Sequence, residues 1–182
     1  MKLFFEYGDV TKKYPEYVQA QCISEDCVMG SGVVIAYRKL FPGLKEMCKA
    51  YVSGVQKAMA AHAGSQEERL RYQTRNGSLR PYRVVHNGKV IYNMFTKKMV
   101  WMHAGRGITT QRYLENMQQS LEVVCQEMMK HGEQKLAISK IGCGRDRCEW
   151  EDVELILKKV FGETDIEICV CEYDEIKEQN HA

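Results

Sequence analysis

Two glycine turns, a Thr-Lys-Lys triplet and two isolated aspartates are where residue type and spacing in this sequence could do chemistry. Gly30-Ser31-Gly32 and Gly142-Cys143-Gly144-Arg145-Asp146 each stand before a helical pattern. Turns of that kind expose unpaired backbone N–H groups beside the positive end of a helix dipole. Two of them facing each other would clasp a diphosphate without needing a lysine. Either alone is a common helix start, and the sequence has no GxxxxGK[ST] pattern, so a P-loop nucleotidase is not supported. Asp9 could accept a hydrogen bond from an adenine amino group, or simply cap a turn. Lys97, like Lys98, could be an ordinary surface lysine. Asp146 opens an Asp-x-x-Glu pattern with Glu149 that would serve as a helix cap.

The elements that must position these residues read as follows. Leu3 to Tyr7 is a short apolar-aromatic strand ended by Gly8-Asp9, and Tyr17 to Ile23 is a second strand. Val33 to Phe41 carries a helical run broken by Pro42-Gly43, and a second helix covers Leu44 to Val55, continuing toward Ala61. Residues 62–81 are polar and basic without periodicity and read as a surface insertion. Asn87-Gly88 between two apolar strands is a strong hairpin signal, and it makes the sheet mixed. Thr109 or Thr110 caps a helix to about Lys130, with Leu114, Met117, Leu121, Val124, Cys125 and Met128 at helical spacing. Lys135 to Ser139 is a strand, a helix runs from about Glu149 to Phe161, and Ile166 to Glu172 is the last strand before a charged tail from Asp174. Strands alternating with amphipathic helices predict an α/β fold with helices on both faces of the sheet.

In that frame Asp9, Ser24 with the Gly30 turn, Thr96-Lys97, the Gly142 loop and Tyr173 each follow a strand. Open α/β sheets bind ligands at the carboxyl ends of their strands. If these strands run the same way, all five points converge on one rim.

Bulk properties exclude little but are consistent. At 182 residues the chain fits one domain, and a formal charge of +2 points to no nucleic-acid or membrane role by itself. No run of apolar residues is long enough to span a bilayer, and the first residues do not form a signal peptide, so a cytoplasmic, monomeric protein is expected. The eight cysteines then read as reduced thiols. Cys22/Cys27 and Cys143/Cys148 invite a zinc reading, but no histidine lies near and glycines crowd both pairs, so no metal or other cofactor is expected. Cys169 and Cys171 alternate with Ile168 and Val170, as in a strand buried on both faces.

Taken in order, Gly8-Asp9-Val10, the block from Cys22 to Gly32, Thr96-Lys97-Lys98, Ile141-Gly142-Cys143-Gly144-Arg145-Asp146-Arg147 and Glu149-Trp150-Glu151 resemble the macro domain family. The branch is the one containing terminal ADP-ribose protein glycohydrolase and an antitoxin macro domain that removes ADP-ribose from DNA thymidine. The likeness runs from about Phe5 to Tyr173. It implies a three-layer α/β/α domain with a mixed, roughly six-stranded sheet and ADP-ribose across its rim. Asp9 and Val10 match the adenine-binding positions, with Tyr173 flanking the adenine. Gly30, Ser31, Gly32 and Val33 match the first phosphate loop, and Gly142, Cys143, Gly144 and Arg145 the second. Ser24 and Thr96 match pocket-lining positions, Lys97 the catalytic lysine and Asp146 the catalytic aspartate.

The implied activity is removal of mono-ADP-ribose from an ester-type linkage, a glutamate ester or O-acetyl-ADP-ribose being favoured. The esterified ribose carries a good carboxylate leaving group, and ring opening would expose an aldehyde-like carbon that a neutral lysine amine attacks. Burial of Lys97 would help it lose its proton, and Asp146 would move protons and help release the adduct. The alternatives are an antitoxin-like enzyme acting on ADP-ribosylated DNA, and a reader that binds without cleaving. Two segments depart from the family pattern. The 62–81 insertion carries Arg69, Arg71, Arg75 and Arg80, with Arg83 beyond and Tyr72 and Tyr82 interleaved; it is a nucleic-acid surface or a solvated loop. Met99 to Ile108, with Trp101, His103 and Arg106, is a lid over the distal ribose, a base-reaching arm or padding.

Overall fold

The computed structural model describes residues 1–61 and 66–172. The elements begin with β1 (Lys2–Tyr7), α1 (Val10–Lys13), β2 (Val18–Ser24), α2 (Val34–Leu40), α3 (Leu44–Ala61), α4 (Gln66–Tyr72) and β3 (Tyr82–His86). They continue with β4 (Lys89–Lys97), β5 (His103–Ala104), β6 (Gly107–Ile108), α5 (Thr110–Lys130), β7 (Lys135–Ser139), α6 (Trp150–Phe161) and β8 (Glu167–Glu172).

The main sheet has six strands in the order β1-β8-β7-β2-β4-β3. Every neighbouring pair is parallel except β3 with β4. The antiparallel pair is the predicted hairpin. Its two-residue turn needs positive φ at both positions, and Asn87 (49°) and Gly88 (76°) supply it.

Helices cover both faces, as the strands require. On one side α5 and α6 pack Tyr113, Met117, Leu121, Val124, Leu157 and Phe161 against Tyr92, Met94, Leu136, Ile168 and Val170. On the other, Tyr37, Leu44, Cys48 and Val52 of α2 and α3 meet Ile91, Phe95, Cys169 and Cys171. Adjacent β8 residues thus point to opposite cores, and Cys169 and Cys171 act as small hydrophobes. The cap of α5 is Thr109, whose hydroxyl accepts from Arg112 N at 3.1 Å. Among the described residues no helix is long and apolar enough to cross a membrane.

Two local expectations are corrected. The insertion is not featureless: Gln66–Tyr72 forms α4, whose buried face is absent, which is why no apolar period marked it. Beyond α4, Thr74, Ser78 and Leu79 are buried, Thr74 N donates to Ser78 O at 2.8 Å and Gln73 bridges Leu79. The second glycine loop does not run directly into a helix. Arg147 takes φ 60° and α6 starts only at Trp150, so residues 147–149 separate loop from helix.

The parallel arrangement settles where the candidate residues gather. The carboxyl ends of β1, β8, β7, β2 and β4 lie along one edge of the sheet, in that spatial order. Four inter-strand gaps of about 4.8 Å give that row a span of roughly 19 Å.

Candidate active site

At the β4 end of the rim, Lys97 and Asp146 meet. Both are 9% exposed, and Lys97 Nζ donates to Asp146 Oδ1 in a buried ion pair. Nζ also donates to Met102 O at 2.9 Å and faces Val100 O at 3.4 Å. Three oxygens therefore surround the ammonium, which accounts for all of its donors. Burial is as expected, but the surroundings are not simply apolar. The lysine is held as an ammonium whose nearest proton acceptor is Asp146.

Asp146 is fixed from behind. Its Oδ2 accepts from Tyr113 Oη at 2.7 Å, and Tyr113 Oη accepts from Thr96 Oγ1 at 3.0 Å. Tyr113 is fully buried, and burial first, then nearby Cys22 and Asp146, pushes its phenol well above the ordinary tyrosine range. It stays a neutral donor at any working pH. Asp146 does not cap α6: the cap residue Glu149 makes no side-chain cap bond, and the Asp146 carboxylate turns to Lys97 and Tyr113 instead. We expect Tyr113→Phe to lower kcat about tenfold and stability by about 1–2 kcal/mol, since one carboxylate oxygen loses its donor. Steady-state kinetics with a urea melt would check this, and an unchanged kcat would remove Tyr113 from the site.

Backbone geometry makes the cluster possible. The β2–β4 register slips between Ile23/Phe95 and Ser24/Lys97, a bulge that leaves Thr96 as the extra residue. Strict alternation would send Thr96 and Lys97 to opposite faces; with the bulge both reach the Tyr113–Asp146 cluster. The turn after Lys97 is clamped to the end of β2. Glu25 N donates to Lys97 O (2.9 Å), Val100 N to Asp26 Oδ2 (2.8 Å) and Lys98 Nζ to Glu25 Oε2 (2.8 Å). Ser24 spends its hydroxyl on Asp26 Oδ1 within this clamp. Residues 99–108 are not padding. They supply two of the carbonyls around Lys97, fold into the β5–β6 pair, and Ala104 N donates to Asp146 O at 3.0 Å.

The two glycine loops sit between Lys97 and the β1 edge. The N–H groups of Gly30, Ser31 and Gly32, and those of Gly142, Gly144 and Arg145, donate to no carbonyl among the described residues. Unspent donors on two adjacent loops are what phosphate oxygens need. Gly142 is required at its position. Its φ is +75°, and an added Cβ would stand 2.4 Å from Met117 Cε and 3.5 Å from Tyr113 Cε1. Gly142→Ala is expected to cost about 1–2 kcal/mol in backbone conformation alone and more where Met117 must move. Differential scanning calorimetry would show a lowered Tm, and an unchanged one would contradict the packing.

At the far end of the rim, Asp9 caps α1: its Oδ1 accepts from Thr11 N at 2.9 Å and Thr11 Oγ1 at 2.7 Å. Oδ2 has Lys12 Nζ 3.7 Å away. The cap reading of Asp9 therefore holds for Oδ1, and Oδ2 makes no hydrogen bond among the described residues beyond its ion pair with Lys12. Val10 is buried beside it and Val33 is half-buried at the start of α2. Tyr173 lies outside the described residues, as does the tail from 174.

Burial pushes the thiols of Cys27 and Cys143 up to about 11 and that of Cys148 to about 12, and raises Cys22 as well. Among the described residues no group of three or more His, Cys, Asp or Glu is gathered so as to hold a metal ion. The basic-aromatic surface is largely spent. Arg75 pairs with Glu122, Arg83 with Glu133, and Arg80 reaches Leu70 O. Tyr82 stacks on Tyr51 (4.5 Å, 7°) and Tyr72 packs against the core. Arg69 and Arg71 project from exposed positions on α4, and Arg75 is exposed beside Glu122.

Comparison with known proteins agrees with this architecture. No family model matches the sequence. The human ADP-ribose glycohydrolase OARD1 is 33% identical over 151 residues, covering 83% of this chain and 78% of the relative. The chain belongs to the ADP-ribose glycohydrolase family of macro domains. Among solved structures, the macro domain of Thermus aquaticus DarG superposes with a TM-score of 0.65 at 19% identity, covering 94% of this chain and 97% of that one. The macro domain of Mycobacterium tuberculosis DarG gives 0.63 at 20% identity, covering 93% and 96%. These structures share the fold with this macro domain: a mixed six-stranded sheet between two helical layers.

The residue that sequence reasoning missed in this macro domain is Tyr113. It occupies the apolar stripe of α5 four residues before Met117, where an aromatic ring reads as core. Only its hydroxyl distinguishes it. A buried Tyr needs a partner for that group, which was the one available signal.

Proposed function

We propose that this macro domain hydrolyses mono-ADP-ribose from an ester-type linkage, with Lys97 as nucleophile and Asp146 as its proton partner. The observation carrying this is the buried Lys97–Asp146 contact braced by Tyr113, at the β4 end of the rim. Binding alone would not need a desolvated ion pair there.

The order of strand ends supports a lengthwise ligand. The adenine lies by Asp9 and Val10, and the diphosphate lies between Gly30–Val33 and Gly142–Arg145. The distal ribose then reaches Thr96, Lys97 and Asp146, with Ser24 behind. Lys97 passes a proton to Asp146 and its amine attacks the anomeric carbon. The bond to the carboxylate oxygen breaks and the carboxylate leaves with the electron pair. The adduct nitrogen loses its extra proton to solvent, the ring oxygen departs with the proton from Asp146, and the resulting iminium is hydrolysed by water to free ADP-ribose and lysine. Glutamate esters and O-acetyl-ADP-ribose are the favoured substrates, because a carboxylate leaves without further help. The name of the 33% identical relative, an ADP-ribose glycohydrolase, supports the same reaction class. The eight unpaired cysteines fit a reducing compartment such as the cytoplasm.

The test is incubation with a protein carrying glutamate-linked ADP-ribose and, separately, with O-acetyl-ADP-ribose. Free ADP-ribose and unmodified protein are expected. Retained binding of ADP-ribose with no release from either ester would leave a reader and overturn the hydrolase.

A further inference from the structure

Strand β1 ends the six-stranded sheet, so one side of its backbone has no neighbouring strand. The register with β8 fixes which groups lie on that side. Lys2 N donates to Ile166 O at 3.1 Å and Gly8 N to Glu172 O at 2.9 Å, so Lys2, Phe4, Glu6 and Gly8 turn their backbone toward β8. Alternate residues of a paired strand point the other way, which leaves the N–H and C=O of Leu3 and Phe5 facing out. Among the described residues nothing bonds to them. An edge of six residues with Phe5 46% exposed is a template for another strand.

The sequence of β1 decides which strand fits. Lys2-Leu3-Phe4-Phe5-Glu6 matches its own reversal. Laid antiparallel on a second copy about Phe4, Leu3 faces Phe5 of the second copy and Lys2 faces its Glu6. Leu3 and Phe5 then form the hydrogen-bonded pairs, as their outward backbone groups require. Lys2 and Glu6 form the non-hydrogen-bonded pairs, whose Cα atoms approach to about 4.5 Å with side chains closest. Both charges keep capacity for this contact. Lys2 Nζ donates to Glu167 Oε2 at 2.8 Å, and Glu6 accepts from Lys13 Nζ only at Oε2, at 2.6 Å. Trp150 braces Phe5 edge to face at 5.8 Å. A register centred on Phe5 would need Tyr7 O, which accepts from Lys13 Nζ at 2.8 Å. The opposite edge, β3, has no such pattern: about Val84, Arg83 would face Val85 and Tyr82 would face His86.

We propose that two copies of this chain pair through β1, antiparallel about Phe4, as a closed twofold dimer with one continuous sheet, in place of the monomer expected from the sequence. Because the paired strands run oppositely, the two rims point to opposite ends of the dimer. Lys97 lies four strands from β1 in each copy and is left untouched.

Sedimentation equilibrium of the full chain over about 1–200 μM tests this. The mass of wild type is expected to rise with concentration from 21.1 kDa toward twice that value. Glu6→Lys sets lysine against lysine twice in each dimer and should raise the dissociation constant about tenfold, as should Lys2→Glu with its paired glutamates. The double exchange Lys2→Glu/Glu6→Lys rebuilds both cross-strand pairs and should return the constant to within about threefold of wild type. Contacts made only to Lys13 and Glu167 within one chain would give no such rescue. Circular dichroism reports an intact fold in each variant. Wild type that stays monomeric throughout, or a dimer that the single exchanges leave unchanged or the double exchange fails to restore, overturns the proposal. So does a mass growing beyond two copies, which would mean an open assembly rather than a closed pair.

Discussion

Replacing Lys97 with Met is expected to reduce turnover by roughly 10³-fold or more while ADP-ribose binding changes little. Lys97 is held against its carboxylate in a buried pair, whereas Lys98, Lys140 and Lys12 pair from exposed positions, and the proposed diphosphate and adenine positions lie at other strand ends. Loss should therefore fall on kcat rather than on affinity. Methionine keeps most of the side-chain volume but strips Asp146 Oδ1 of its charged partner, so a urea melt must accompany the kinetics. A variant that folds, binds ADP-ribose and turns over at the wild-type rate would exclude the lysine.

The second large effect is on stability. Asp146→Ala leaves the Lys97 ammonium buried with only the Met102 and Val100 carbonyls, and breaking a buried pair from one side costs about 3–5 kcal/mol. Turnover should fall about 10²- to 10⁴-fold, the range for losing a positioned proton carrier. The penalty comes mainly from the orphaned charge. The double variant Lys97→Met/Asp146→Leu is therefore expected to recover much of the lost stability and none of the activity. Chemical denaturation of the single and double variants checks this. Strictly additive losses would mean that the two side chains do not interact energetically.

How much of this was legible beforehand depends on which force fixes each feature. The Asn87-Gly88 hairpin and the Thr109-capped helix were legible because turn chemistry and helical spacing are local. So was the gathering of candidates on one rim, since it needs only the alternation of strands and helices. The four-residue helix after Asp9 was not, because it is too short to show a period. Helix α4 escaped because its exposed sequence carries no apolar stripe. Asp146 and Glu149 have the spacing of a helix cap, and only the tertiary pairing with Lys97 and Tyr113 decides against it. The insertion arginines and tyrosines looked free for the same reason. Their partners Glu122, Glu133 and Tyr51 are distant in sequence. The Thr96 bulge depends on the pairing of β2 with β4 and leaves no mark in either strand alone.

The most direct single measurement is reductive trapping. Wild-type protein would be mixed with glutamate-linked ADP-ribosylated substrate, quenched with cyanoborohydride during the first turnover, digested and analysed by mass spectrometry. If Lys97 forms the covalent intermediate, the peptide containing Lys97 gains the mass of reduced ADP-ribose, and Asp146→Asn, which cannot take the lysine's proton, gains much less of it. Turnover that proceeds at the same rate with no label on that peptide, or with label on Lys98 instead, would contradict Lys97 as the nucleophile.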